Sequence, residues 1–193
     1  ALEFIAAHHE QGVLCTLKHF PGHGSSTGDS HLGLVDVTAT WDEQELQPYR
    51  DLIDAGQADL IMTAHVFNAR LDPDFPATLS KAVITGILRE QLGYDGVVVS
   101  DDMQMGAIVQ QYGFETALRA TIEAGVDIVA IANNLDYDES IAARSVSLVK
   151  QWVSEGGISE ERIDASYRRI RRLKDRLSTT RAARPSSTPS SMQ

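Results

Sequence analysis

Four short apolar runs, at 13–17, 60–63, 96–100 and 127–132, are of strand length and rich in branched side chains. Runs that are apolar at nearly every position suit parallel strands covered on both faces. Between them the apolar positions recur at helical spacing. Thr40 and Glu43 stand at the spacing of a capping box before a helix through the 40s and 50s, which Pro48 should divide in two. Ser80 can cap a second helix that turns Val83, Ile84, Ile87, Leu88 and Leu92 inward and stops at Gly93. A third runs from Glu115 to Ala124 and stops at Gly125. Near the end, Ile163, Tyr167, Ile170, Leu173 and Leu177 form an apolar stripe ringed by arginines.

A leading helix followed by repeated βα units predicts an α/β protein, either an open doubly wound sheet or a (β/α)₈ barrel. Lys18 and His19 follow the first run, His65 the second, Asp101 and Asp102 the third, Asn133 and Asn134 the fourth. Both architectures build their active sites at the C-terminal ends of the strands, so this placement points to an enzyme.

Composition narrows the function classes. The 193 residues carry a net charge of −10, which argues against nucleic-acid binding, since that needs a basic surface. Cys15 is the single cysteine, so there is neither an intrachain disulfide nor a cysteine-based zinc cluster. No apolar run approaches the ~20 residues of a membrane-spanning helix, and no signal peptide is visible, which favours a cytoplasmic setting. The chain starts Ala-Leu-Glu and reads as cut from something longer, so an export signal would lie upstream of Ala1. Residues 1–161 hold 8 basic and 25 acidic side chains, whereas residues 162–193 hold 9 and 2. Such a basic terminal helix can meet a partner or a membrane surface, but a solvated outer face is the expectation.

Two segments carry chemistry. The first, from Lys18 to His31, is a strand end followed by a glycine-rich loop containing His19, His23, Asp29 and His31. Asp29 lies two residues before His31, close enough in a turn to hold one imidazole nitrogen. That arrangement sets the tautomer and raises the basicity of an acid/base histidine. No Gly-Lys-Ser/Thr follows the glycines, so a phosphate-binding P-loop is excluded. The second is Ser100-Asp101-Asp102-Met103. A carboxylate at the end of a buried strand is costly unless paired or put to use. Asp101 therefore reads as a nucleophile, metal ligand or general base, and Asp102 as a helix cap.

Lys-His-Phe-Pro-Gly-His-Gly at 18–24, followed by Asp-Ser-His at 29–31, resembles the signature of glycoside hydrolase family 3, specifically its bacterial β-N-acetylhexosaminidase branch. The likeness continues through Met62–Val66, Pro76–Ser80, Leu92–Gly96, Ser100–Met105 and Ala124–Asp127 to the helix at 163–173. The resemblance implies a partial TIM (β/α)₈-type barrel with about four βα units, corresponding to the fifth through eighth strands. Residues 1–177 would be an incomplete catalytic domain and 178–193 a disordered Ser/Thr/Pro-rich tail. The earlier half-barrel, which supplies an Arg and an Asp that grip the sugar, would be missing, since a full barrel takes ~250 residues. It further implies a retaining mechanism on an N-acetylated glycan, of peptidoglycan or chitin type, without cofactor or metal. Asp101 would be the nucleophile, and His31 the acid/base oriented by Asp29. Lys18, His19, His65 and Met103 would meet the substrate, and His23 would brace the loop.

Three other readings stand beside this one. A metal-dependent hydrolase would recruit His19, His23, His31 and His65 with Asp101. A truncated carbohydrate-binding remnant would keep the sugar contacts without turnover. A phosphorylase would exploit the weaker repulsion between a neutral histidine and an anionic acceptor.

Overall fold

The computed structural model describes residues 1–28, 33–134 and 136–182. Helix α1 (Leu2–Glu10) leads into strand β1 (Thr16–Phe20), and β2 (Val35–Asp36) precedes a 3₁₀ turn at Glu43–Leu46 and α2 (Gln47–Asp54). Next come β3 (Leu60–Thr63), β4 (Val66–Phe67), a 3₁₀ turn at Ala77–Leu79, a π-wound helix over Ala82–Gln91, and β5 (Val97–Val99). Helices α3 (Gly106–Tyr112), α4 (Phe114–Ala124), α5 (Ile141–Ser154) and α6 (Glu160–Ala182) complete the order. The central sheet is parallel, in the order β1-β3-β5, and β2 and β4 form a second parallel pair. No helix among the described residues is long and apolar enough to cross a membrane.

The core lies where β1, β3 and β5 meet the crossover helices. Phe20, Ile61, Ile84, Leu88 and Val98 are each fully buried there. Cover on both faces, expected for every strand, is not what β3 shows: Ile61 and Thr63 are buried, while Leu60 and Met62 are half-exposed.

Strand β1 starts three residues later than the pattern predicts. It pairs from Thr16 opposite Leu60 to Phe20 opposite Thr63, which carries Lys18 and His19 into the strand. The fourth run does not form a strand. Ile128 makes a single bridge to Val99, and beyond it side chains replace backbone acceptors. Ala130 N–H donates to Ser100 Oγ (2.9 Å) and Ala132 N–H to the Asp102 carboxylate (2.9 Å). This satisfies the polar backbone without a regular ladder.

Helix starts follow local chemistry. The cap in the 40s is Asp42, whose carboxylate accepts the Gln44 N–H, and Thr40 does not fill that role. Pro48 sits in the first turn of α2, where no N–H is needed, so it marks a new helix. Ser80 Oγ accepts the Val83 N–H (3.1 Å) as expected, and α4 ends on Gly125, whose φ of +116° suits glycine. Helices α3 and α5 were not expected from the pattern. Helix α6 continues to Ala182, past the expected boundary at 177, and residues 183–193 lie outside the described ones.

The basic helix is not a merely solvated face. Arg162, Arg169 and Arg176 recur every seventh residue, and α6 lays them across the N-terminal ends of the strands. Arg176 pairs with Asp59 and Arg169 with Asp95 and Asp127; Arg162 reaches Asp127 at 3.7 Å, and Arg172 reaches Asp95 at 2.7 Å. The Asp59 and Asp127 side chains are wholly buried, so these pairs compensate charges that would otherwise be costly to bury.

Candidate active site

The opposite ends of the strands are arranged differently. His19, near the end of β1, is partly exposed and stands with Nε2 3.8 Å from Oδ2 of Asp101, just past β5. Burial pushes the His19 imidazole below its ordinary value; Asp101 opposes this, while Lys18, His23 and His65 reinforce it. His19 is therefore neutral at neutral pH and offers one donor and one acceptor. Lys18 is exposed and lines a cleft of about 390 Å³ together with His19, Gly22, His23, Glu45 and Tyr49. Asp101 does not line this cleft, but meets His19 from the β5 side.

The loop leaving β1 is held at both ends. Trp41 Nε1 donates to the Pro21 carbonyl (3.1 Å), and Glu45 accepts the Gly24 N–H (3.1 Å). Gly22 has φ +126°, and a Cβ there would fall 2.6 Å from Glu45 Cβ, so both conformation and space require glycine. His23 Nδ1 bonds Ser26 Oγ within the loop. On the return side, β2 pairs with β4 through Val35–Val66 and Asp36–Phe67. Asp29 and His31 lie outside the described residues.

Asp101 is about a quarter exposed. Its Oδ1 accepts the Asp102 N–H at 2.9 Å, and Oδ2 has no hydrogen bond among the described residues. Asp102 does not cap α3, which begins at Gly106. Its carboxylate instead accepts the Gln104 and Ala132 N–H groups, locking the turn after β5 to the segment beyond α4.

His65 and Met103 are placed differently from a substrate contact. Both are fully buried. His65 Nε2 donates to the Asp102 carbonyl (2.9 Å), and Nδ1 lies 2.8 Å from Thr78 Oγ1. Met103 packs with Leu79, Ile108 and Ala117 and accepts a contact from Thr121 Oγ1 at 3.6 Å. In each case the side chain points into the core from a position next to the strand end, an orientation that position along the chain does not reveal.

Sequence reasoning also missed Glu45, Trp41, Thr63 and Thr78. Only the proximity of Gly22 to Glu45 would have singled one of them out, and that contact spans over twenty positions. Among the described residues no three His, Cys, Asp or Glu side chains converge as a metal-ligand set. The described arrangement offers a partly exposed carboxylate, with one oxygen free of hydrogen bonds among the described residues, beside a neutral imidazole that Lys18 neighbours in the chain, suited to attack on an electrophilic carbon flanked by hydroxyls.

Residues 1–173 match the profile of the glycosyl hydrolase family 3 N terminal domain. Among curated proteins, the beta-hexosaminidase of Tolumonas auensis is 40% identical over 137 residues, covering 69% of this chain and 41% of that protein. Beta-hexosaminidase A of Pseudoalteromonas piscicida is 34% identical, covering 93% of this chain and 33% of that protein. The structure of a family 3 beta-N-acetylglucosaminidase from Paenibacillus sp. FPU-7 superposes with a TM-score of 0.84 at 38% identity, over 97% of this chain and 35% of that one. This chain thus spans between a third and two-fifths of the length of these relatives. With nine-tenths of its length matched and the parallel βα arrangement in common, the chain belongs to glycosyl hydrolase family 3, whose N-terminal domain has a TIM-barrel-type fold.

Proposed function

We propose that this chain carries the nucleophile-bearing part of a β-N-acetylhexosaminidase active site, acting on terminal β-linked N-acetylglucosamine in peptidoglycan-type or chitin-type glycans. The observation that carries the reading is Oδ2 of Asp101, without a hydrogen bond among the described residues and facing the neutral His19 at the C-terminal end of the sheet. Family membership and the names of the relatives supply the reaction class.

Asp101 Oδ2 attacks the anomeric carbon while the bond to the leaving oxygen breaks, its electron pair remaining on that oxygen. His31, oriented by Asp29, donates the proton that this oxygen takes up. In the second step His31 takes a proton from water, the water oxygen bonds to the anomeric carbon, and the bond to Asp101 breaks. The anomeric configuration is retained because two inversions occur. Lys18 and His19 hold sugar hydroxyls, contacts that strengthen as the ring flattens toward the transition state. The rest of the sugar grip comes from residues beyond these, in an architecture completed by further strands.

The test is release of chromophore from a p-nitrophenyl N-acetyl-β-glucosaminide by the full-length protein and its Asp101→Ala variant. Turnover by the first and none by the second is expected, together with a covalent glycosyl adduct on Asp101 by mass spectrometry of quenched reactions. Equal rates would sink the nucleophile assignment, and sugar 1-phosphate formed in phosphate buffer would replace hydrolysis with phosphorolysis.

A further inference from the structure

Beneath the turn that bears Asp101 lies a buried polar group that the reaction above does not use. Thr63, His65, Thr78 and Ser100 are all fully buried, at the junction of β3, β5 and the 3₁₀ turn. Thr78 Oγ1 is 2.8 Å from Thr63 Oγ1, 2.8 Å from His65 Nδ1 and 2.9 Å from the Ala64 carbonyl. On the far side of the ring, Nε2 lies 2.9 Å from the Asp102 carbonyl.

Proton counting orders this group. A carbonyl only accepts, so His65 Nε2 carries a proton and donates it to Asp102. The single hydroxyl proton of Thr78 cannot serve both His65 Nδ1 and the Ala64 carbonyl. If the ring is neutral, Nδ1 takes that proton and Thr63 donates to Thr78. If the ring is cationic, Nδ1 donates and the Thr78 proton goes to Ala64. Burial pushes the imidazole down from its ordinary value; Asp101 and Asp102 pull the other way, and His23 adds to the lowering. With no solvent at the ring, the neutral state is favoured.

The ring's partner is the residue on which the candidate nucleophile depends. Asp102 donates its N–H to Asp101 Oδ1, and its carboxylate receives the Gln104 and Ala132 N–H groups. Asp102 is thus gripped through its carbonyl by His65 and through its carboxylate by the segment beyond α4. The Asp102 N–H ties down Oδ1 of Asp101, and among the described residues Oδ2 accepts no hydrogen bond.

We propose that His65 is a positioning residue: as the neutral Nε2–H tautomer, set by the Thr78 hydroxyl, it holds the Asp102 carbonyl and thereby the orientation of the Asp101 carboxylate. The catalytic meaning of this role rests on Asp101 being the nucleophile. The hydrogen-bonded arrangement does not, so it is tested by readouts that need no turnover, whereas the Asp101→Ala assay tests the glycosidase reading separately.

Two measurements decide it. In the ¹⁵N-labelled protein at neutral pH, long-range ring correlations should report a protonated Nε2 and a bare Nδ1 for His65. A proton on Nδ1, alone or with one on Nε2, overturns the proposal. Amide exchange is then compared among wild type, His65→Gln, His65→Leu and the distant core variant Leu88→Ala. His65→Leu should accelerate exchange at Asp102 and Ala132 by about ten-fold beyond its effect on the β3 amides, the scale of one lost buried hydrogen bond. His65→Gln, which keeps a donor at the Nε2 position, should restore most of that protection. Uniform acceleration like that in Leu88→Ala would reduce His65 to a packing residue and overturn the positioning role. If His65→Leu does not fold, the wild-type tautomer and the His65→Gln exchange profile still decide.

Discussion

The two ends of the β-strands carry the same chemical group in opposite settings. At the N-terminal end, Asp59, Asp95 and Asp127 stand just before β3, β5 and the segment that bridges β5, and arginines from α6 answer each of them. Asp127 also receives Arg89 at 2.7 Å, the Val98 N–H and the Ser166 hydroxyl. At the C-terminal end, Asp101 has a neutral histidine 3.8 Å away, and among the described residues its Oδ2 accepts no hydrogen bond. A carboxylate whose charge and lone pairs are satisfied is part of the structure. One left partly open, in reach of solvent, is available for chemistry.

The sharpest break of this comparison is Asp101→Asn in the full-length protein. It should lower turnover by roughly 10⁴-fold, as removal of a nucleophile does, with a thermal midpoint close to wild type. A large loss of stability would put Asp101 in the same class as the N-terminal aspartates. Asp127→Ala is the converse. It strips a buried acceptor from three arginines and should cost about 3–5 kcal/mol by urea denaturation, while activity per folded molecule is preserved. Unchanged stability there would mean that Arg89, with its bonds to the Tyr94, Gly96 and Gly125 carbonyls, needs no counter-charge.

Asp59 adds a pH signature. Burial opposes its ionisation, but the Cys15 N–H, His9 and Arg176 outweigh it and hold the carboxyl below its ordinary value. The resulting stability is fully present above the unfolded-state pKa of about 3.9 and is lost as the pH falls through the native value. Asp59→Asn should therefore cost about 1–3 kcal/mol at pH 7 and flatten the acid limb of the stability curve below about pH 4. An unchanged acid limb would show that Asp59 is not the group titrating there. The smallest effect is expected from Arg172→Ala. Arg172 and Asp95 are both well exposed, at 58% and 68%, so solvent screening leaves no more than about 1 kcal/mol in a double-mutant cycle with Asp95→Ala.

Much of this was legible in the chain. Periodicity placed β3 and β5, the helix capped by Ser80 and the α4 stop at Gly125, because each depends on neighbours within a turn or two. It failed at β1, where polar Lys18 and His19 read as a strand end although pairing with β3 runs on to Phe20. It also failed at 127–132, where Ser100 and Asp102 side chains substitute for a strand partner. Of the site, Asp101 and His19 do come together. His65 and Met103, equally plausible by position, turn into the core.

By itself the sequence determined the βα alternation, the concentration of polar residues at one end of the strands and the family motifs, all of which are local in the chain. Only the tertiary structure decided which polar residues face outward and which carboxylates find a cation. Those outcomes depend on side-chain direction and on partners far away in sequence. Arg176, for example, reaches Asp59 across 117 positions. The alternation of strand and helix could therefore be read from one stretch at a time, whereas the division into an end whose carboxylates are paired with arginines and an end where Asp101 is not required the packed molecule.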